Sequence, residues 1–346
     1  MPNPAAHQLR GAEAIVASLP EVFGAFPDDS FVLCTIAADG TLGSSMTAKL
    51  PADPSSWDAM IREMTDHLIE REAARGFLVP QIAAAVCPAA DQPEYDEAAR
   101  HTHQALTHHL NTISRTRSLP LLEVLYVTPT RWWSALCSGP ACCPPGGRDV
   151  PTGPDGRPWP AKSELLASLA PFREPDATEH RQAIRREHQG LIEKFEVQGP
   201  HAFQQYGRNL LADTIRGVAA GYTPDGLGSD ITARLALLLQ SRVIHADVLL
   251  YLDPVNLKAT QALCRTLARV CVEPYTNYAG VILALHALAS WGVGDLPTAR
   301  LSLEAANEVD PGNALAELLY DNIVAGAEFE VLHRVGDALK SLESHG

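Results

Sequence analysis

The stretch RWWSALCSGPACCPPGG, residues 131–147, separates two kinds of sequence. It contains Trp132 and Trp133 side by side, three of the seven cysteines, and a Pro-Pro-Gly-Gly run through which neither a helix nor a strand would continue. Before it, runs with strand and helix character alternate. After it, nearly every apolar pattern has the three- and four-residue spacing of a helix. The stretch therefore marks the place where a sheet ends and helical sequence begins.

The sequence before this stretch predicts an α/β domain over residues 1–143. Phe31 to Ile36 is apolar at nearly every position, which is typical of a strand that is buried on both faces. Asp39-Gly40 then supplies a hairpin turn, because this pair tolerates the positive φ that tight turns need. Further apolar runs at 42–50, 77–87, 121–127 and 131–136 alternate with amphipathic helices at 55–75 and from 93 onwards. A hairpin followed by alternating helices and strands predicts a mixed sheet.

The sequence after this stretch predicts a linker and then an all-α region. Residues 144–175 begin with a segment rich in proline and glycine, so we interpret them as a linker between two domains. Residues 176–346 carry one amphipathic helical pattern after another. The predicted fold class is therefore an N-terminal α/β domain with a mixed sheet, followed by an all-α C-terminal region.

One helical hairpin stands out within the C-terminal region. Ala287, Ala299, Ala306 and Pro311 lie at relative offsets 0, 12, 19 and 24, with Gly294-Asp295 at the turn between the two predicted helices. Small residues at these offsets let two antiparallel helices approach closely, and the proline ends the second. The segment is similar to a single tetratricopeptide unit. Since no second copy follows at a thirty-four-residue step, a hairpin that caps the domain is favoured over a peptide-binding groove.

Composition and charge exclude several classes of partner. The chain of 346 residues has 27 basic and 41 acidic side chains, a formal charge of −14, and no basic run, so we expect neither nucleic-acid nor membrane binding. The N-terminal residues lack a basic segment followed by an apolar one, so no signal peptide is expected. Seven cysteines, an odd number, indicate thiols rather than a disulfide framework. We expect a soluble cytoplasmic protein.

Cys137, Cys142 and Cys143 are the strongest candidates for chemistry. Thiolates bind zinc, and a loop with glycine and proline can fold back so that Cys137 and one of the later pair reach the same ion. The spacing differs from the usual Cys-x-x-Cys pairs, however, and no histidine lies nearby in the sequence. No Lys, His or helix N-terminus is evident to activate a thiol for redox chemistry either. A zinc site therefore competes with the simpler interpretation that these cysteines pack beneath the tryptophans.

Arg131, Trp132, Trp133 and Ser134 form the candidate ligand-binding segment. Indole faces attract planar rings and cations, so the segment could stack a planar ligand. Because adjacent residues of a strand face opposite sides, we expect one tryptophan in the core and the other at the rim of the cysteine loop. Core packing is the competing interpretation for at least one of them.

Two other polar groups have structural interpretations. Asp28-Asp29-Ser30 could contribute carboxylates to a cleft at a strand start, but a turn that caps the strand is favoured. The histidines at 101, 103, 108 and 109 lack the three- or four-residue spacing that metal ligation by one helix requires, so we interpret them as a polar face.

The segments described so far resemble an actinobacterial family, the domain-of-unknown-function family 4192. The resemblance rests on Leu9 to Pro20, Pro27 to Leu33, Trp133 to Cys137 with Cys142-Cys143-Pro144-Pro145-Gly146, Arg242 to Asp247, and Trp291 to Pro311. The chain departs from the family where Ala25 follows Gly24 in place of an aromatic, and where Thr47-Ala48-Lys49 stands in place of an arginine. The resemblance implies an actinobacterial or actinophage origin and a cytoplasmic protein, and it implies no activity.

Two functional hypotheses follow from the sequence. The first is a non-enzymatic interaction protein whose helical region docks a protein partner or a second copy of the chain. It rests on the helical region and on the absence of Gly-rich phosphate loops, nucleophile elbows and His-Glu-x-x-His motifs from the sequence. The second is an enzyme or small-ligand-binding protein whose site, with or without zinc, lies where the cysteine loop crosses the strand ends.

Overall fold

A computed structural model describes residues 11–74, 76, 79, 81–89, 95–137, 143–152, 156, 158–324 and 329. The chain divides into two compact units, residues 1–164 and 165–346, which are called here the α/β unit and the helical unit. Among the described residues, no helix has both the length and the apolar character that crossing a membrane requires.

The α/β unit is built on a six-stranded mixed sheet, which confirms the predicted fold class. The strand order is β2-β1-β3-β4-β5-β6, and β3 and β4 are parallel while the other neighbours are antiparallel. The strands are β1 Ser30–Ile36, β2 Leu42–Ala48, β3 Gln81–Cys87, β4 Leu121–Val127, β5 Arg131–Ser134 and β6 Arg148–Asp149. The helices are α1 Ala12–Phe23, α2 Trp57–Ala74, α3 Glu97–Arg117 and, at the boundary with the helical unit, α4 Lys162–Leu169.

Helices cover both faces of this sheet, so its central strands have no polar face. In β1, Phe31 and Leu33 join a cluster with residues of α2 and α3. The alternate residues Val32 and Cys34 join a second cluster with residues of α1. The apolar run from Phe31 to Ile36 therefore needs no alternation, since both faces exclude water.

The predicted linker region contains regular structure. β6 pairs with β5, and an isolated parallel bridge joins Phe26 to Ala161. The Asp28 carboxylate then accepts the backbone N–H of Ser163, in the first turn of α4, at 3.0 Å. Residues 144–175 thus include β6 and α4, and the boundary between the compact units falls at 164/165.

The helical unit packs its helices around one apolar cluster. Its helices are α5 Asp176–Ala219, α6 Ser229–Leu238, α7 Arg242–Ala246, α8 Leu257–Val270, α9 Ala279–Gly292, α10 Leu296–Val309 and α11 Ala314–Val324. All residues of α9 from Ala279 to Trp291 are buried, so this helix lies at the centre of the unit.

Helices α9 and α10 form the predicted antiparallel hairpin. Ala287, Ala299 and Ala306 are each 0% exposed, as expected for small residues at a close helix contact. A Cβ on Gly280, at the start of α9, would lie 2.4 Å from the Asp310 Cβ, just past the end of α10. The resemblance of this hairpin to a tetratricopeptide unit stays a prediction.

Helix α5 is broken by a kink at Gly199. This residue has φ 75° and ψ 170°, and Pro200 follows it. A positive φ is easily adopted only by glycine, and the proline removes a backbone donor. Across the kink, the ring centroids of Phe195 and Phe203 lie 5.4 Å apart. Eight residues of straight helix would separate them by about 12 Å.

Candidate functional sites

Strand β5 places the two predicted tryptophans on opposite faces of the sheet. Trp132 packs with the cluster on the α1 side, and Trp133 packs with the cluster under α2 and α3. Both are buried, with 2% and 8% of their surface exposed. The sequence led us to expect one of them at the rim of a loop, whereas the structure places both indoles in the core.

The loop after the cysteines lies on Trp133. The indole Nε1 of Trp133 donates to the Pro145 carbonyl at 3.1 Å. Gly147 has φ 71°, and a Cβ there would lie 2.6 Å from the Trp133 ring. On its other side, Trp133 stacks on Tyr95 with ring centroids 4.5 Å apart. Trp133 is therefore held between this loop and Tyr95.

Arg131 and Ser134 have partners within the protein. The Arg131 guanidinium forms an ion pair with Asp149 at 3.2 Å. Ser134 Oγ donates to Glu123 Oε1 at 2.7 Å and accepts the Cys137 N–H at 3.1 Å. Burial raises the pKa of the Glu123 carboxyl, opposed by its hydrogen bonds with the Ser134 hydroxyl and with the backbone of Val124 and Leu136. These contacts join β4, β5 and the start of the cysteine loop.

The structure describes two of the three candidate zinc ligands. Cys137 and Cys143 are partly buried, and Cys143 packs against the cluster that contains Trp132. Cys142 lies outside the described residues. Within the described residues, no group of three or more His, Cys, Asp or Glu side chains could hold a metal ion. The zinc site of the full loop stays a prediction.

The α/β unit contains a cleft whose described lining includes neither Trp132 nor Trp133. Its volume is about 810 Å³, and it lies where the parallel strands β3 and β4 end and α3 begins. Clefts at the carboxyl ends of strands are the usual ligand sites of open α/β sheets. The described residues that line it are Asp29, Ser30, Leu50, Pro51, Ala52, Trp57, Val86, Cys87, Pro88, Ala89, Asp96, Ala98, Ala99, Thr102 and Tyr126.

Two carboxylates contribute to the polar part of this cleft. Asp29, at φ 49°, forms an ion pair with Lys49 at 2.6 Å. Asp96 caps α3, because its Oδ1 accepts the Ala99 N–H at 2.8 Å. The Asp28-Asp29-Ser30 segment therefore has both features considered in the sequence: its turn leads into β1, and Asp29 and Ser30 line a cleft.

Tyr126 supplies a phenol to the described lining of the cleft. Only 4% of its surface is exposed, and within the described part of the chain its hydroxyl makes no hydrogen bond. Burial, followed by the charges of Asp96, Tyr95 and Cys87, raises the pKa of Tyr126 to about 12. Tyr126 is therefore a neutral hydroxyl at physiological pH, near the Asp96 carboxylate.

His103 supports the wall behind this cleft, and its interpretation as part of a polar face is wrong. The side chain is 1% exposed, because the face of α3 that carries it packs on β4. Its Nε2 lies 3.1 Å from the Val124 carbonyl, which can only accept, so Nε2 carries the proton. Nδ1 then accepts the Tyr95 hydroxyl at 2.8 Å. Burial lowers the pKa of His103 to about 4, so the ring is neutral.

The helical unit has a hollow of a different kind. A groove of about 570 Å³ lies between α5, α6 and the start of α9. Leu191, Phe203, Leu237 and Leu238 contribute its apolar lining. Two further lining residues of α5 are well exposed, Ile192 at 41% and Phe195 at 47%.

These features define a two-unit protein: an α/β unit with a cleft at its strand ends, and an all-helical unit with an apolar groove. The family described as Domain of unknown function (DUF4192) matches residues 13–328, so the chain belongs to this family. No curated protein and no solved structure matches the chain.

Proposed function

We propose that this protein self-associates through its helical unit, and that the groove beside α5 receives the same surface of a second copy. The carrying observation is that one helix supplies both an apolar hollow and protruding apolar side chains. Ile192 and Phe195 line the hollow, and with 41% and 47% of their surfaces exposed they can also insert into the hollow of a second copy. A twofold interface needs a self-complementary surface, and a patch that combines protruding apolar side chains with an apolar groove meets this requirement.

The charges around the patch also favour a second copy over a strongly charged partner. From residue 185 to 197, Arg185, Arg186 and Lys194 are balanced by Glu187, Glu193 and Glu196. The chain as a whole carries −14, so two copies repel each other at most surfaces. At this patch the local charge is zero, and the apolar contact is not opposed.

Sedimentation velocity of the full chain over a range of concentrations tests this proposal. We expect a dimer that dissociates on dilution. Ile192→Asp should raise the dissociation constant about a hundredfold, because the new carboxylate would be buried in the interface without a partner.

The chain offers a matched control at Val255. This valine is also highly exposed, at 77%, and lies apart from the groove, between α7 and α8. Val255→Asp should leave the dimer unchanged. A wild-type protein that stays monomeric at all concentrations, or equal weakening by the two substitutions, would contradict the proposal.

A further inference from the structure

The cleft of the α/β unit has the polar groups of a ligand site and an excess of acceptors. Among its described lining residues, Asp29 and Asp96 are charged and none is basic. Ser30 Oγ already donates its proton to the Asp28 carbonyl at 3.0 Å, so its remaining capacity is to accept. A ligand that donates hydrogen bonds is therefore favoured over one that accepts them.

The beginning of α3 does not offer an anion site here. Helix N-termini attract anions through their unpaired N–H groups and positive dipole end. In this protein the Asp96 carboxylate already accepts the Ala99 N–H, and its negative charge occupies that end of the helix. Its second oxygen, Oδ2, makes no hydrogen bond in the described part of the chain. An incoming anion would meet this charge, whereas a cation would find a free acceptor.

Lys49 shows that an ammonium binds at the edge of this cleft. Its Nζ lies 2.6 Å from Asp29 Oδ2, and Asp29 is a lining residue. The Asp96 carboxylate has no such partner among the described residues. Tyr126 is a second, independent sign of a ligand site, because the residue is 96% buried and lines the cleft, while its hydroxyl makes no hydrogen bond within the described residues.

We propose that this cleft binds a small organic cation, whose ammonium group lies at the Asp96 carboxylate and beside the Tyr126 hydroxyl. An ammonium has three N–H donors and no acceptor, which suits the lining. The apolar body of the ligand packs on Trp57 and the aliphatic side chains of Leu50 and Val86, which line the same cleft. A volume of about 810 Å³ lies within the range of small-molecule sites.

Isothermal titration calorimetry of the full chain with three compounds of similar shape tests which ligand charge the cleft prefers. The probes are 2-phenylethylamine, the neutral 2-phenylethanol and the anionic phenylacetate. We expect the amine to bind at least about tenfold more tightly than the alcohol, since it adds a charge-assisted hydrogen bond. Phenylacetate should bind most weakly. If the amine does not bind, or binds no better than phenylacetate, the proposal is wrong.

Two substitutions locate the binding without disturbing the fold. Asp96→Asn keeps the helix cap, because asparagine caps as well as aspartate, and it should weaken binding of the amine about tenfold. Tyr126→Phe should weaken binding several-fold without lowering the melting temperature, because the hydroxyl has no partner to lose in the described part of the chain.

The matched control is Asp295→Asn in the helical unit. Asp295 caps α10 in the same way, with the Thr298 N–H at 3.1 Å from its Oδ1. This substitution should leave binding unchanged. Amine binding that survives Asp96→Asn at full strength would refute the site. The outcome is independent of self-association, since Ile192→Asp should not change amine binding.

Discussion

Strand β1 and helix α9 are the central elements of the two units, and both are buried along nearly their whole length. The two elements distribute their side chains differently. β1 sends alternate side chains into two separate clusters, whereas α9 sends its side chains into one cluster on all sides. As a result, the α/β unit has its hollow at the strand ends, where backbone and caps bring polar groups together. The helical unit has its hollow between helices, where Leu191, Phe203, Leu237 and Leu238 give it an apolar lining.

The largest expected effect comes from removing one large side chain from each central element. Phe31 is 0% exposed in β1 and Leu285 is 1% exposed in α9. Phe31→Ala should lower the free energy of unfolding of the α/β unit by about 4 kcal/mol, and Leu285→Ala should lower that of the helical unit by about 3 kcal/mol.

Urea unfolding followed by two signals separates these effects. Four of the five tryptophans lie in the α/β unit, so their fluorescence reports mainly on that unit, while circular dichroism at 222 nm is dominated by the helices. If Phe31→Ala left the fluorescence transition unmoved, the central role of β1 would be wrong.

The next effect is a loss of stability in acid in both units. His103 and His286 are 1% and 2% exposed, and burial lowers the pKa of each to about 4 from an ordinary value of 6.5. The unfolded chain therefore takes up protons first, so stability present above about pH 6.5 is lost as the pH falls towards 4. Each histidine should contribute a loss of about 3 kcal/mol.

Urea unfolding at pH 7 and at pH 4.5 measures this loss. His286→Asn should flatten the pH dependence of the helical unit. His101→Gln is the control, because the His101 side chain is 73% exposed and its replacement should change nothing. A pH dependence that is the same with and without His286 would contradict the assignment.

Two glycines with nearly the same φ, one in each unit, differ in the space around them. Gly147 has φ 71° and a side chain there would meet the Trp133 ring, whereas Gly199 has φ 75° and nothing lies within 4 Å. Gly147→Ala should therefore cost about 3 kcal/mol, from strain and steric overlap together, and Gly199→Ala only about 1 kcal/mol, from strain. Melting temperatures of the two variants measure the difference. Equal costs would show that Trp133 can move aside.

The smallest effects concern the helix caps. Asp96→Ala and Asp295→Ala should each cost about 1 kcal/mol, because each removes a carboxylate that accepts the N–H three residues later. The corresponding asparagine variants should be close to neutral. Chemical unfolding checks these values, and an asparagine variant as unstable as its alanine counterpart would show that charge, not capping, is what the helix needs.

Local patterns in the sequence were sufficient to predict much of the fold. The unbroken apolar run at Phe31 to Ile36 predicted a strand buried on both faces, and the spacing of Ala287, Ala299 and Ala306 predicted the helical hairpin. These features depend on residues that are close in the chain, or on a regular period. Their physical cause is therefore visible without coordinates.

The cleft could not be predicted in the same way. Its residues come from the start of β1, the segment from the end of β2 to the start of α2, the ends of β3 and β4 and the start of α3, so only the fold brings Asp29, Asp96 and Tyr126 together. His103 was misinterpreted because its neighbours in the sequence are polar, while the contact with Val124 decides its burial. Of the two interpretations of the adjacent tryptophans, the burial of both side chains favours core packing.

His103 and His286, the two histidines buried among the described residues, carry their single proton on different nitrogens. His103 keeps it on Nε2, facing the Val124 carbonyl. In His286, Nδ1 lies 2.8 Å from Ser302 Oγ, whose own proton goes to the Thr298 carbonyl, so Nδ1 must be the donor. The two tautomers differ in the nitrogen chemical shifts of their rings. A single ¹⁵N spectrum of labelled histidine would therefore give each unit its own signal, and would show which of them opens first.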